Sequence, residues 1–261
     1  MLRSLGLRSD LVVQRGVSLI ESHPDRLVLR TPSEPDFWFG NMLIFRHGEV
    51  DPDAQIARFH ADFPDAGHVT LAWDVPGMAP GAGHAELARR GFAIETADVL
   101  TLTGPPWRHG TPDGIMIRPV ATDAEWDQVI ALQIETGVEE GYDPGPHRPF
   151  VVARFGNLRR LAGSGGAVWL GAFEGDLLVG DLGVFLGDGV ARYQNVETRA
   201  RYRRRGICAA LVTAGADWAA AEEPATIPVI VADQDGAPGR IYRRCGFALA
   251  ETLISAVKGS Y

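Results

Sequence analysis

One short pattern occurs twice in this 261-residue chain and limits its architecture more than any other feature. "AELARRGFAIETADVL" (85–100) and "RIYRRCGFALAETLIS" (240–255) both read as a short helix, a Gly-Phe stop and a strand. Each follows an apolar run ending in Asp, "LAWD" in the first half and "VIVAD" in the second. A chain built this way predicts two similar α/β units rather than one large core. "TGPPWRHGTPDG" (103–114) has the Pro, Gly and polar composition of a connection. The expected division is a first domain over 1–105, a linker over 106–113 and a second domain over 114–261.

The second half carries the clearest element signals. "GIMIRPV" (114–120) is a strand, and Thr122 or Asp123 caps a helix with Trp126, Val129, Ile130 and Leu132 at helical spacing. "EEGYDPGPHRPF" reads as a Gly- and Pro-rich loop, and "VVARFGNLRRLAGSGG" as a helix stopped by glycines. A strand meander follows over "AVWLGAFEGDLLVGDLGVFLGDGVARYQNVET", turning at Glu174-Gly175-Asp176 and Gly187-Asp188-Gly189. A helix to about Ala221, the strand "IPVIVAD", the helix "APGRIYRRCG" closed by Gly246 and the strand "FALAETLISAVK" complete it. In the first half "DRLVLRTP", "DFWFGNMLIFRHG" and "HVTLAWDV" read as strands. "DPDAQIARFHADF" reads as a helix capped by Asp51 or Asp53.

The chain has 25 Lys and Arg against 33 Asp and Glu, a net charge of −8. Nucleic-acid binders gain most of their affinity by neutralising phosphates, so this balance argues against that class. The two cysteines, Cys208 and Cys245, form no disulfide framework and no metal-ligand spacing, so no metal is expected. His84, His109 and His147 form no ligand pattern and are expected at the surface. "MLRSLGLRSDLVVQRG" lacks a signal-peptide apolar core, and no run approaches the roughly 20 apolar residues that span a bilayer. The expectation is a cytoplasmic protein with neither a membrane nor a nucleic-acid partner.

Against that acidic background, "YRRRGICAAL" (202–211) concentrates Arg203, Arg204 and Arg205 before Gly206 and a helix start. Cations at a helix N-terminus oppose its dipole, so a solvated basic cap is an unfavourable explanation. Open N–H groups, a glycine allowing close approach and flanking guanidinium forks together make a phosphate site. The spacing is neither a Walker A loop nor G-x-G-x-x-G.

The pattern R-x-x-G-x-small (Arg203, Gly206, Cys208), followed by Ala209-Ala210-Leu211, resembles the GNAT superfamily of acyl-CoA-dependent N-acyltransferases. "DGAPGRIYRRCGF" (235–247), about 30 residues on, resembles that family's later motif, and the likeness covers about residues 113–261. It implies a tandem of two GNAT-like domains, each a mixed, mostly antiparallel sheet flanked by helices. It implies acetyl-CoA as acyl donor, with Arg203, Arg204, Arg205, Gly206, Ile207, Cys208 and Ala209 around the pyrophosphate. Val196 to Thr198 would pair with the pantetheine arm, the Val196 N–H holding the thioester oxygen. Tyr242 would be the general acid beside the sulfur, and Asp235 would contact the cofactor arm where the family usually has Asn. Cys208 replaces the usual Gly or Ala.

The implied reaction is direct attack of a small-molecule or peptide amine on the thioester. Glu197, Gln194 and Asp233 are the candidate bases, with solvated strand ends as the alternative. Glu139 and Glu140 lie where the acceptor would enter. Cys208 is expected at the phosphate end, too far from the thioester to act as nucleophile. The first half has Leu87 where the second has Tyr242, and acidic "HGEVDPDAQIA" before its helix, so it reads as a degenerate copy. "DFWFGN" is core or part of an acceptor cleft. The rival readings are a non-catalytic acyl-CoA sensor and a binding module using the arginine patch.

Overall fold

The two Gly-Phe stops fold alike. In the computed structural model, which describes residues 2–108, 110–234 and 236–259, Gly91 and Gly246 take left-handed φ values of +87° and +97°. The Phe92 N–H bonds to the Leu87 carbonyl at 3.1 Å and the Gly91 N–H to that of Ala88 at 3.0 Å. In the second copy Phe247 N–H bonds to Tyr242 at 3.2 Å and Gly246 to Arg243 at 3.1 Å. This paired bond is the Schellman closure, which needs a residue without Cβ at the left-handed position.

The elements in chain order are α1 (Leu5–Gln14), β1 (Leu19–Ser22), β2 (Arg26–Arg30), β3 (Met42–Phe45), α2 (Pro52–Asp62), β4 (His68–Trp73), α3 (Ala82–Arg89) and β5 (Ala93–Thr101). They continue with β6 (Ile115–Pro119), α4 (Asp123–Glu139), α5 (Pro144–Gly163), β7 (Ala167–Glu174), β8 (Leu177–Gly187), β9 (Val190–Thr198), α6 (Ile207–Glu222), β10 (Ile227–Asp233), α7 (Ala237–Arg244) and β11 (Ala248–Gly259).

The chain divides into two units. The first comprises Met1–Val99, Ala232–Gln234 and Leu249–Tyr261; the second comprises Leu100–Val231 and Asp235–Ala248. Residues 249–259 therefore depart from the expected second domain. The reason is strand pairing: β11 lies antiparallel on β4, with Ser255 opposite Ala72 and Gly259 opposite His68. The expected linker also departs from its reading. The Trp107 N–H bonds to the Cys245 carbonyl at 2.9 Å, and Arg108 grips Asp217 of α6 through two hydrogen bonds of 2.6 and 2.7 Å. The segment is thus fastened to unit 2.

In unit 1 the strand order is β1-β2-β3-β4-β11-β5. Side-chain alternation sorts its two faces. Val28, Leu43, Phe45, Leu71 and Trp73 pack with Phe59 of α2 and Leu87 of α3. Leu27, Leu29, Met42, Ile44 and Ala72 pack with Leu7 of α1. "DFWFGN", expected to be strand, instead makes a 3-10 turn over Trp38–Gly40 before β3 begins. Its Trp38 stacks on His68 at 5.9 Å, while Phe39 is exposed. His84, expected at the surface, is buried against Trp73 at 4.6 Å, with Nδ1 accepting the Gly81 N–H.

In unit 2 the order is β10-β9-β8-β7-β6, with β6 to β9 antiparallel and β9/β10 parallel. Gly180 and Gly215 let α6 settle close on one face. A Cβ at Gly180 would meet Ile207 and Leu211, and one at Gly215 would meet Tyr193, Val184 and Leu182 at 3.0–3.1 Å. Alternation puts Asp181, Gly183 and Phe185 on the opposite face, where α4 lies. The expected loop after α4 is shorter than its Gly and Pro content suggested. Asp143 caps α5, and Pro144 occupies its first position, where a missing N–H costs nothing.

Candidate active site

The parallel pairing of β9 with β10 is brief. It runs from Val190 opposite Ile227 to Arg192 opposite Val229. Beyond that point, among the described residues, the rest of β9 is paired on its β8 side alone. An open strand edge of this kind offers unpaired backbone N–H and C=O groups to an extended ligand.

The same stretch carries a bulge. On β8 one residue, Leu182, separates Asp181 from Gly183; on β9 two residues, Asn195 and Val196, separate their partners Glu197 and Gln194. Asn195 is left-handed at φ +49°. The extra residue takes Asn195 and Val196 out of the one-to-one register with β8.

The strand then feeds a turn and α6. Gly206 stands at the N-cap with φ +88°. The first rung of the helix is Ala210 N–H to Gly206 carbonyl at 3.0 Å. Ile207, Cys208 and Ala209 therefore precede the ladder, so their N–H groups face the helix start with no acidic residue in the first turn. The three arginines are not equivalent. Arg203 bonds to Glu139 at 2.6 Å and to the Thr198 carbonyl at 3.0 Å. Arg205 reaches Glu174 at 3.3 Å and lies over the Tyr202 ring. Arg204, exposed and left-handed at φ +63°, makes no ion pair among the described residues.

Glu197 and Asp181 are directly opposed on the α4 face of the sheet. Burial, followed by the Glu140 carboxylate, pushes Glu197 up to about 7; Arg203 and a hydrogen bond from Thr136 oppose the rise. Asp181 is fully buried, and that burial, with Glu197 next, holds it well above the usual carboxylate range. Gln133 Nε2 donates to Asp181 Oδ1 at 3.1 Å. Gln133 and Thr136, three positions apart, and Glu140 at the C-cap four further on make one stripe of α4 and its end turned to the two strands. Tyr242, on α7, is 4% exposed. Burial first, then Cys208 and Glu197, raise its hydroxyl above the ordinary tyrosine value, while Arg192 pulls the other way.

Cys208 is an electrostatic neighbour of Tyr242 and Glu197. Burial first, then Cys245 and Glu197, raise its thiol to about 12. Among the other expected site residues, Gln194 lies opposite Gly183 on the α4 face. Asp233 ends β10 exposed, and the charge it influences is Glu95 rather than Glu197. Asp235 and His109 lie outside the described residues. His147 is half-buried, stacked on Tyr142 at 5.0 Å. Asp181, Gln133 and Thr136 were missed from sequence. The signal available was a lone acid inside the apolar strand "LLVGDLGVFLG".

Unit 1 has the corresponding elements without the opening. Its parallel strands β3 and β4 stay paired from Leu43 opposite Leu71 to Phe45 opposite Trp73, and the Asp74 N–H adds a further bond to Phe45 at 2.7 Å. Asp74 accepts the N–H groups of Arg3 and Ser4, so the strand end is filled by the chain itself. The Asp51 carboxylate caps α2, occupying the place an anion would need.

No helix among the described residues is long and apolar enough to cross a membrane. No family model and no curated sequence matches the chain. Solved structures do. A functionally unknown conserved protein from Staphylococcus epidermidis superposes with a TM-score of 0.71 at 11% identity, covering 92% of this chain and 93% of its own. A GCN5-related N-acetyltransferase from Kribbella flavida gives 0.63 at 17%, covering 99% and 98%. A tandem GNAT protein from the clavulanic acid biosynthesis pathway gives 0.57 at 16%, covering 96% and 87%.

Proposed function

We propose that this chain, whose fold is that of the GCN5-related N-acetyltransferases, moves an acetyl group from acetyl-CoA to an amine within unit 2. One observation carries the reading: the opened and bulged end of β9 leads through a short turn into a glycine-led helix N-terminus, with Glu197 and Tyr242 beside it. Such an arrangement fits a ligand with a pyrophosphate at one end and an amide-bearing arm at the other. Ile207, Cys208 and Ala209 N–H groups take the pyrophosphate, and Arg204 is the cation available to it. Val196 to Thr198 pair with the arm. A contact between Asp235 and that arm is part of the proposal.

The acceptor amine arrives as an ammonium ion past Glu139 and Glu140. Glu197, with its proton affinity near neutrality, accepts that proton as general base. The freed amine attacks the thioester carbonyl, and the Val196 N–H stabilises the oxyanion that develops. Tyr242, whose burial keeps it protonated, donates to the departing sulfur. Cys208 takes no part as a nucleophile. Unit 1 supplies no second catalytic site.

The test begins with thermal melts against acetyl-CoA, with ATP and NAD as controls. A ligand binding only the folded state adds about 2.7 kcal/mol at a hundred times its Kd, a rise of about 5 °C or more for a chain of this size. Tyr242→Phe is expected to lower kcat at least about 100-fold with the acetyl-CoA shift retained. No shift at millimolar acetyl-CoA refutes the reading. A shift without transfer to any amine, unchanged in Tyr242→Phe, replaces it with an acyl-CoA sensor.

A further inference from the structure

Asp181 has no part in the transfer as drawn, yet it is a fully buried carboxyl in the middle of an apolar strand. An ionised carboxylate there is costly unless several donors or a bonded cation compensate it. Gln133 serves Oδ1 at 3.1 Å, while Oδ2 has no partner among the described residues. The cation that acts on Asp181 is Arg199, and its guanidinium is committed to the Leu178 carbonyl and to Glu135. One neutral amide donor is what a protonated carboxyl accepts, and the remaining oxygen then carries a hydrogen that needs an acceptor.

The residue across the rung is Glu197. Directly opposed side chains on antiparallel strands have Cβ atoms about 4.5–5.5 Å apart, within reach of two carboxyl groups. We propose that Asp181 is a positioning residue: a neutral carboxylic acid, anchored by Gln133, that directs its O–H at the ionised side chain of Glu197. Held from beneath in this way, the Glu197 carboxylate keeps one orientation when it receives the ammonium proton. Glu197 is also faced by Thr136 and Glu139 from α4, by Glu140 at its C-cap, by Arg203 from the turn before α6, by Cys208 from α6 and by Tyr242 from α7. Those groups stay constant when Asp181 alone is changed. The catalytic meaning rests on Glu197 as base; the placement of the proton does not.

Carboxyl-carbon NMR on protein labelled at Asp Cγ and Glu Cδ reads that placement without turnover. The wild-type Asp181 signal, assigned by its absence in Asp181→Asn, is expected at the neutral-acid position at neutral pH. Asp181→Asn keeps a neutral side chain and an N–H donor, so the Glu197 midpoint stays within about half a unit. Asp181→Leu removes the donor, so the midpoint rises by about one unit, a tenfold change in proton affinity. The acid limb of kcat/KM follows it, with KM for acetyl-CoA unmoved. An ionised Asp181 at neutral pH, an Asn variant whose Glu197 midpoint falls by a unit, or a Leu variant with no change overturns the inference. If Asp181→Leu does not fold, the wild-type signal and the Asn variant still decide. Titrations as expected in a protein without acetyl transfer overturn the base assignment and leave this inference standing.

Discussion

A carboxyl that burial holds at about 7 weakens the fold that holds it. Between its ordinary value of 4.5 and about 7, Glu197 is protonated in the folded chain and ionised in the unfolded one. Folded protein then binds more protons, so stability falls as pH rises through that window. Glu197→Gln is expected to be more stable than wild type at pH 8, by at most about 3 kcal/mol, and equal to it near pH 4. Urea titrations at the two pH values check this, alongside a loss of transfer of about 100-fold or more. Glu125 has the opposite sign. Arg118 at 2.6 Å, with the N–H groups of Ala121 and Thr122, holds it at about 2, so its stabilisation is present above 4.5 and lost as pH falls toward 2. Glu125→Gln is expected to cost about 1 kcal/mol at pH 7 and progressively less as pH falls from 4.5 through about 2, read by the same titrations. The places of Tyr242 on a helix and of Gly206 at a helix start were legible in the sequence because their spacing is local to one helix or one turn. Asp181 was not, because its partner depends on strand register, and a slip of one residue would turn it to the α6 face.

Among the elements, α6 depends on the residue that caps its start. Gly206 sits at φ +88° with its nearest non-local atom, Pro112 Cγ, 3.8 Å from where a Cβ would be. Space is available, so the cost of a side chain there is conformational, about 1–2 kcal/mol. Gly206→Ala is expected to lower stability by that amount and to weaken acetyl-CoA by about tenfold or more, since the phosphate loses its close approach. Calorimetric titration and denaturant melts separate the two effects. A variant that binds acetyl-CoA as well as wild type removes the phosphate from this helix start. Most elements were readable from apolar periodicity and Gly stops. The start of α5 was not, because Asp143-Pro144 looks like a turn until the Asp side chain is seen capping the Gly145 N–H at 2.8 Å. The 3-10 turn at Trp38–Gly40 was hidden for a different reason. Its aromatic run has strand composition, but a Cβ at Gly40 would strike the Phe37 ring at 2.3 Å, so only glycine permits the tight return.

At the scale of the molecule, the repeat was visible but the ownership of β11 was not, since nothing local distinguishes a strand that closes its own unit from one that closes another. With β11 in place, the apolar side chains Ile254 and Ala256 complete the α2/α3 face of unit 1. Residues 1–105 alone are expected to show no cooperative urea transition, and fusing 248–259 behind them through a flexible linker is expected to restore one. A cooperative transition in 1–105 alone would show that β4 and β5 need no strand between them. The arrangement also sets an order of events on the ribosome. Every strand of unit 2 is translated before β11, the second strand that pairs with β4, a wait of about ten seconds at ordinary elongation rates. Throughout it, the nascent chain carries a half-built sheet with open edges, a natural client for holding chaperones. A chain that stopped anywhere between β5 and β11 would keep that sheet open between β4 and β5.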